Sequence, residues 1–251
     1  MTHDLSGKTA LVTGGTRGIG RAIAMALAGA GAHVIVTSRK EAAVGETVDA
    51  IRRAGHRADG IPANVGRLDE LHAFADRLFA THSAIDILVN NAAANPVFGP
   101  VEQTTPEAFA KIMDVNLRAP FELAKRCLPG MEARGGGAIV NISSIGGVSP
   151  EAHLGIYSVS KAALISLTEV MAREWGPRNV RANVICPGLI KTDFSRALWG
   201  NETLLQQTLD AQPLPRMGEP DDVANLALFL ASPASSFCTG GTYMVDGGYT
   251  I

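Results

Sequence analysis

The sequence predicts an α/β fold in which a mostly parallel sheet carries helices on both faces. Short apolar runs alternate with helical stretches of ten or more residues, as in βαβ units, whose parallel strands need long crossover connections. The apolar runs are continuous and do not alternate with polar residues, which is typical of parallel strands buried on both faces. Together these two observations indicate a doubly wound α/β domain.

Six strands and the helices between them follow in a regular order. Gly31 suits the end of the first helix, because glycine adopts the left-handed conformation without steric cost. Thr105 is the expected N-cap of a later helix, with Pro106 at its first position. The strands are predicted at 9–12, 33–37, 57–63, 85–89, 138–142 and 180–185, and helices at 21–30, 41–54, 68–81 and from 106 onward.

Composition and charge exclude several classes of protein. Hydrophobic residues make up 46% of the 251 residues and the formal net charge is -2, so the chain can bury a core and has no general attraction to nucleic acid or membranes. The three cysteines are scattered, and no signal peptide, membrane-spanning run, linker or repeat is present in the sequence. We therefore expect one cytoplasmic domain over residues 1–251, with neither nucleic acid nor membrane as a partner.

A glycine-rich loop, Gly14-x3-Gly18-x-Gly20, lies between the first strand and the first helix. Glycines there allow a tight turn and let the backbone approach a pyrophosphate at the helix N-terminus. The spacing differs from the common G-x-G-x-x-G fingerprint, and an ordinary glycine-rich turn is the alternative interpretation.

The end of the second strand, Ser38-Arg39-Lys40, indicates which dinucleotide this loop would bind. A carboxylate at this point binds the 2′-hydroxyl of NAD, whereas a cation suits the 2′-phosphate of NADP. The segment has no carboxylate, and Arg39 can pair with a phosphate in a bidentate fork, with Arg17 approaching from the glycine loop. The residues favour NADP(H), unless both arginines are solvated surface charges.

Tyr157 and Lys161 have the i, i+4 spacing that places two side chains on one face of a helix. An unperturbed phenol has a pKa of about 10, so we expect the neighbouring ammonium to lower the pKa and make Tyr157 a general acid-base. Ser144 follows the fifth strand at its carboxyl end, where open α/β sheets bind ligands. Taken alone, however, a packed tyrosine and a solvated lysine are the better interpretation of the pair.

Six motifs occur in a fixed order along the chain. They are Thr13-Gly14 to Gly20, Asn90-Asn91-Ala92, Asn116, Ser144, Tyr157-x-x-x-Lys161 and Pro187-Gly188. In this order they resemble the short-chain dehydrogenase/reductase family over essentially the whole chain. Ser144, rather than Ser143, matches the family serine because it lies 13 residues before Tyr157. The resemblance implies a single Rossmann-type domain whose seven-stranded sheet ends with a strand within 240–248.

The resemblance also implies a role for each of four catalytic residues. Tyr157 exchanges a proton with the substrate oxygen, while NADP(H) carries the hydride. Ser144 holds and polarises that oxygen. Lys161 binds the nicotinamide ribose and lowers the pKa of Tyr157, and Asn116 holds a water that links Lys161 to solvent.

Cofactor contacts are implied along the carboxyl edge of the sheet, and no metal is expected because none of the six histidines has a zinc-binding spacing. Ala93 replaces a family glycine, and Asn64 replaces an aspartate that hydrogen-bonds adenine, a contact an amide can still make. The implied cofactor residues are Gly14, Thr16, Arg17, Gly18, Ile19, Gly20, Ser38, Arg39, Asn64, Val65, Asn91, Ala92, Ala93, Tyr157, Lys161, Pro187, Gly188, Ile190 and Thr192.

Segments 95–99, 134–137 and 187–199 further resemble the NADP-dependent carbonyl reductase/retinol dehydrogenases of the family. Family substrate loops fall at 94–98, 146–154 and 189–215, the last forming a lid. A mostly apolar lining there indicates a hydrophobic or aromatic ketone or aldehyde. The apolar residues in these loops are Val97, Phe98, Val148, Leu154, Leu189, Phe194, Leu198 and Trp199.

Two other functions fit the same motifs in part. A 3-oxoacyl-thioester reductase would share every motif, so only substrate tests separate it from a carbonyl reductase. A non-catalytic NADP-binding sensor would not need the complete set of four catalytic residues. By analogy with the family, in which two long helices and the last strand form subunit interfaces, we expect a homotetramer.

Overall fold

The computed structural model describes residues 3–251, and its centre is a parallel sheet of seven strands. The strand order is β3-β2-β1-β4-β5-β6-β7, and every pairing is parallel. The order reverses between β1 and β4, so a crevice is expected where the carboxyl ends of these two strands diverge. The strands are β1 (Thr9–Thr13), β2 (His33–Thr37), β3 (Ala58–Gly60), β4 (Ile87–Asn90), β5 (Gly137–Ile142), β6 (Val180–Pro187) and β7 (Thr242–Val245).

Helices cover both faces of the sheet, which confirms the predicted doubly wound α/β fold. One buried apolar cluster joins the sheet to α1, α2 and α9, and a second joins it to α3, α5 and α6. A π-helical turn, Asp114–Arg118, connects α4 to α5. The helices are α1 (Gly18–Gly29), α2 (Glu41–Arg53), α3 (Leu68–Thr81), α4 (Pro106–Met113), α5 (Ala119–Ala133), α6 (Gly155–Trp175), α7 (Arg196–Trp199), α8 (Glu202–Ala211) and α9 (Pro220–Ala231).

The predicted strands are all present, but some boundaries differ. β3 ends at Gly60 and not near residue 63, although the Ile61 and Ala63 N–H groups still donate to the carbonyl oxygens of Val36 and Ser38, at 3.1 and 3.0 Å. The first helix begins at Gly18, three residues before the predicted start, so two glycines of the loop form its first turn. The predicted cap of α4 is confirmed, since the Thr105 hydroxyl accepts a hydrogen bond from the Ala108 N–H at 3.2 Å.

The segment between β6 and α9 projects from the carboxyl edge of the sheet. It contains α7 and α8, and none of the residues that the structure describes in these two helices is buried. A bridge between Ile190 and Gly218 closes the base of this segment. Within residues 3–251, no helix combines the length and apolarity needed to cross a membrane.

Candidate active site

A cavity of about 740 Å³ opens at the carboxyl edge of the sheet, where the strand order reverses. This volume lies within the range typical of ligand sites. Every residue predicted to contact the cofactor lines it, and so does Ser144. Asn116 is the exception among the predicted site residues, because its side chain is not part of the described lining.

The glycine loop is shaped by the segment that follows β4. The Asn91 amide donates hydrogen bonds to the carbonyl oxygens of Thr13 and Gly14, at 2.9 and 3.2 Å. A Cβ added at Gly20 would collide with the same amide nitrogen and with the Gly14 carbonyl oxygen. Glycine is therefore required here by packing within the chain as well as by the expected approach of a pyrophosphate.

Thr13 is a positioning residue that the sequence predictions did not assign to the site. Its buried hydroxyl accepts hydrogen bonds from the backbone N–H groups of Asn91 and Ala92, at 3.0 and 3.1 Å. These bonds fix the two segments that flank the reversal of strand order. A hydroxyl residue at the last position of the first strand was the only sequence signal for this role.

Gly18 lies against the base of the segment that carries α7 and α8. Its φ is +48°, and an added Cβ would lie 2.9 Å from Cγ2 of Thr192. Thr192 is itself held in place, since its carbonyl oxygen accepts a hydrogen bond from the Trp199 indole at 2.8 Å. Trp199 thus packs this segment internally, and it does not line the described cavity.

The end of the cavity beside β2 is positively charged. Ser38, Arg39 and Arg17 line it, and in the part of the chain that the structure describes neither arginine takes part in an ion pair. Two exposed guanidinium groups without a carboxylate partner are available to an anion. Lys111 and Asp114 also line the cavity, a contribution of α4 and the π-helical turn that the sequence did not indicate.

Lys161 is buried, which excludes the interpretation that it is solvated. Only 2% of the residue is exposed, and its ammonium donates a hydrogen bond of 2.7 Å to the Ile142 carbonyl oxygen at the end of β5. The Ser143 hydroxyl donates to the Lys161 carbonyl oxygen at 2.8 Å, so strand and helix are tied together. Burial lowers the pKa of Lys161 to about 8.

Tyr157 lies one turn before Lys161 on α6 and is also buried. Burial raises the pKa of its phenol to about 12, and the neighbouring Ser144 hydroxyl opposes part of that rise. The Lys161 ammonium bonds to the Ile142 carbonyl oxygen and lies 5.6 Å from the centre of the phenol ring. A lowering of the Tyr157 pKa by Lys161 stays a prediction. With a pKa of about 12, Tyr157 is a neutral phenol that can donate a proton at pH 7.

Asn116 lies in the π-helical turn and is completely buried. Its carbonyl oxygen accepts from the Ala94 N–H at 2.8 Å, and its amide donates to the Ala94 carbonyl and the Ser160 hydroxyl, both at 3.0 Å. Because these bonds use both amide hydrogens, the side chain has no donor left for the water it was expected to hold. The structure makes Asn116 a positioning residue between β4 and α6, and a water held by Asn116 that links Lys161 to solvent stays a prediction.

The predicted substrate loops reach the cavity only in part. Phe194 lines it with 48% of its surface exposed, and its ring centre lies 6.2 Å from that of Tyr157. Among residues 3–251, Phe194 is the only one of the eight predicted apolar substrate residues in the lining. Asn95 and Pro96, from the first predicted loop, also line it.

Comparison with known proteins agrees with this geometry. A family model described as enoyl-(acyl carrier protein) reductase matches residues 14–250. Human dehydrogenase/reductase SDR family member 4 is 43% identical over 244 residues, which cover 97% of this chain and 88% of the human protein.

Two solved structures are also highly similar. A gluconate 5-dehydrogenase from Burkholderia cenocepacia, in complex with NADP and tartrate, has a TM-score of 0.94 at 34% identity and covers 99% of this chain and 97% of its own. A 7α-hydroxysteroid dehydrogenase, complexed with NADH and 7-oxo glycochenodeoxycholic acid, has a TM-score of 0.93 at 36% identity, with coverage of 98% and 96%. Fold, site and relatives agree: the chain belongs to the short-chain dehydrogenase/reductase family and is an oxidoreductase acting on the CH–OH group of donors.

Proposed function

We propose that this chain is an NADPH-dependent carbonyl reductase that acts on hydrophobic or aromatic ketones or aldehydes. The observation that carries the proposal is the buried phenol of Tyr157, which lines the cavity beside Ser144 and lies 6.2 Å from the half-exposed ring of Phe194, measured between ring centres. A proton donor, a hydroxyl for the carbonyl oxygen and an apolar surface thus meet at one point of the cavity.

The cavity lining fits a phosphorylated dinucleotide. The glycines at the start of α1 have no side chains, so a ligand in the cavity can approach the backbone there. Arg17 and Arg39 offer two cations near the end of β2. Relatives have been solved with NADP and with NADH, so the preference for NADPH rests on this chain's own arginines. When bound, the cofactor supplies or accepts the hydride.

The proton chemistry follows from the two pKa shifts. With a pKa of about 12, Tyr157 stays protonated at neutral pH, so it can donate a proton to a carbonyl oxygen but is a weak base for an alcohol. Lys161, with a pKa of about 8, can exchange protons near neutral pH. We therefore propose that Tyr157 donates its proton to the carbonyl oxygen during reduction and takes it back during oxidation. Ser144 holds the carbonyl oxygen, and Asn116 positions α6.

The arrangement of the chain completes the proposal. We treat residues 1–251 as a single NADP-binding domain with a lid at 189–215, and place it in the cytoplasm, in keeping with three free cysteines.

We further propose a homotetramer. The helices α5 and α6 support this, because Phe121, Val159 and Val170 expose between 39% and 53% of their surface. Sedimentation of the purified protein tests it, and a stable monomer or dimer would contradict it.

A substrate panel tests the proposed activity. Initial rates of NADPH oxidation are measured with aryl ketones, a 3-oxoacyl thioester on acyl carrier protein, a 7-oxosteroid and a keto sugar acid, with NADH in parallel. We expect kcat/KM to be highest for an apolar ketone or aldehyde with NADPH. A higher value for the carrier thioester would favour the 3-oxoacyl-thioester reductase, and binding of NADPH without turnover would favour a sensor. A clear preference for the sugar acid would also contradict the proposal.

A further inference from the structure

Two histidines and one aspartate from distant parts of the chain meet at the edge of the sheet. His33 is the first residue of β2, Asp59 lies in the edge strand β3, and His82 directly follows α3. Oδ2 of Asp59 is 2.8 Å from Nε2 of His33 and 3.8 Å from Nε2 of His82. The ligand atoms of all three residues lie within 4.8 Å of one another. No sequence spacing could indicate this cluster, because the fold alone brings its members together.

The cluster is separate from the cavity. His33 begins β2, whereas Ser38 and Arg39, which line the cavity, follow the end of that strand. A strand of this length spans roughly 13 Å. Any function of the cluster is therefore independent of the proposed reductase activity.

The geometry of the three ligand atoms suits a tetrahedral metal ion. Bonds of about 2.1 Å from zinc to nitrogen and oxygen place neighbouring ligand atoms about 3.4 Å apart. The separations of 2.8 and 3.8 Å lie on either side of this value, so small side-chain rotations would bring both to it. The side chains of His33, Asp59 and His82 are 18%, 40% and 13% exposed, so an ion can enter from solvent.

The Arg52 guanidinium and the carboxyl end of α3 lie next to the cluster. The Arg52 guanidinium binds Oδ1 of Asp59 at 2.9 Å, which orients the carboxylate and leaves Oδ2 directed to the histidines. His82 caps the carboxyl end of α3, where the helix dipole favours positive charge.

We propose that His33, Asp59 and His82 bind one divalent transition-metal ion, with Zn²⁺ as the preferred ion and water in the remaining position. The ion would join the edge strand β3 to β2 and to the end of α3. Its role would be structural, because the cluster lies away from the cavity. The alternative is a His33–Asp59 ion pair that binds no metal.

The test is calorimetric titration of Zn²⁺ into the chelator-treated full-length protein. We expect one Zn²⁺ per chain and a rise in Tm, with affinity at least about tenfold weaker in His33→Asn, Asp59→Asn and His82→Asn. The matched control is His72→Asn, which removes an exposed histidine that lies 3.8 Å from a single carboxylate, that of Glu122, and should bind Zn²⁺ as the wild type does. Co²⁺ should give the visible absorption of a tetrahedral site in the wild type and not in Asp59→Asn.

Circular dichroism and turnover show whether each variant is folded. If one of the three cluster variants fails to fold, the comparison uses the other two. Equal Zn²⁺ affinity in the folded cluster variants and the wild type would overturn the proposal. Binding by the wild type that equals that of a variant lacking all three side chains would overturn it as well.

Discussion

The two walls of the cavity are built in opposite ways. The catalytic wall, formed by the end of β5 and the first half of α6, is buried and cross-linked by hydrogen bonds of 2.7 and 2.8 Å from Lys161 and Ser143. The proposed lid, residues 189–215, carries α7 and α8, in which no described residue is buried. Few buried contacts mean a low free energy of local opening. In the proposed function, the chemistry is thus fixed in one wall, while substrate contact belongs to the other, where residues can change without loss of the fold.

The largest expected effect comes from the catalytic wall. Tyr157→Phe removes the proton donor and leaves the ring in place, so kcat for ketone reduction should fall by about 10²- to 10⁴-fold with NADPH affinity nearly unchanged. Stopped-flow turnover and a fluorescence titration of NADPH measure the two quantities. The control is Tyr243→Phe on β7, outside the described lining. If Tyr157→Phe retained turnover, Tyr157 would not be the proton donor and the catalytic residues would have to lie elsewhere.

A pH effect on stability tests how deeply Lys161 is embedded in the same wall. Its pKa is about 8 in the folded protein, whereas the ordinary lysine value of 10.5 applies to the unfolded state. Between these two pH values the unfolded state therefore binds more protons than the folded state. The free energy of unfolding of the wild type should gain roughly 3 kcal/mol from this group as the pH rises from 8 to 10.5. Lys161→Met should lack that gain.

Urea unfolding of both proteins at several pH values measures the difference. Other titrating groups affect both proteins alike, so the pH dependence of the difference belongs to Lys161. Parallel curves for the wild type and Lys161→Met would show that the ammonium is not desolvated by the wall.

The positively charged end of the cavity gives the next effect. Arg39→Asp should weaken kcat/KM for NADPH by about ten- to a hundredfold, because a charge-assisted bond to phosphate is lost. The value for NADH should change little or improve. Arg57→Asp, an exposed arginine outside the described lining, is the matched control for charge. The same loss with both coenzymes would mean that Arg39 does not recognise the 2′-phosphate.

The smallest effect is expected in the lid. Phe194→Ala should raise KM for an aryl ketone by about fivefold, as expected for a half-exposed aromatic contact, and leave kcat within about twofold. Phe237→Ala, fully exposed and outside the described lining, is the control. A large fall in kcat would mean that the lid also shapes the catalytic step, and the contrast between the walls would weaken.

The same contrast explains what the sequence could predict. The catalytic wall belongs to regular elements, so its strand, helix and residue spacing are local patterns, and Tyr157 and Ser144 lie on the cavity where predicted. The lid has weak periodicity and little burial, so its apolar residues were not separable into those that pack, such as Trp199, and those that line the cavity.

Other features depend on tertiary contacts that cannot be predicted from the spacing of residues in the sequence. The pKa of Tyr157 is set by burial on several sides, and the hydrogen bonds of Asn116 arise from a π-helical turn read as ordinary helix in the sequence. The cluster of His33, Asp59 and His82 exists only because β2, β3 and the end of α3 meet. In each case the property belongs to an environment built from distant parts of the chain.

The most direct test of the central claim follows a deuterium atom. An unlabelled aryl ketone is incubated with NADPH deuterated at both C4 positions, and the alcohol is analysed by mass spectrometry for the wild type and Tyr157→Phe. We expect a deuterated alcohol from the wild type and at most about 1% as much from the variant in the same time. Equal amounts of labelled alcohol from both proteins, or none from the wild type with any apolar ketone or aldehyde, would contradict it.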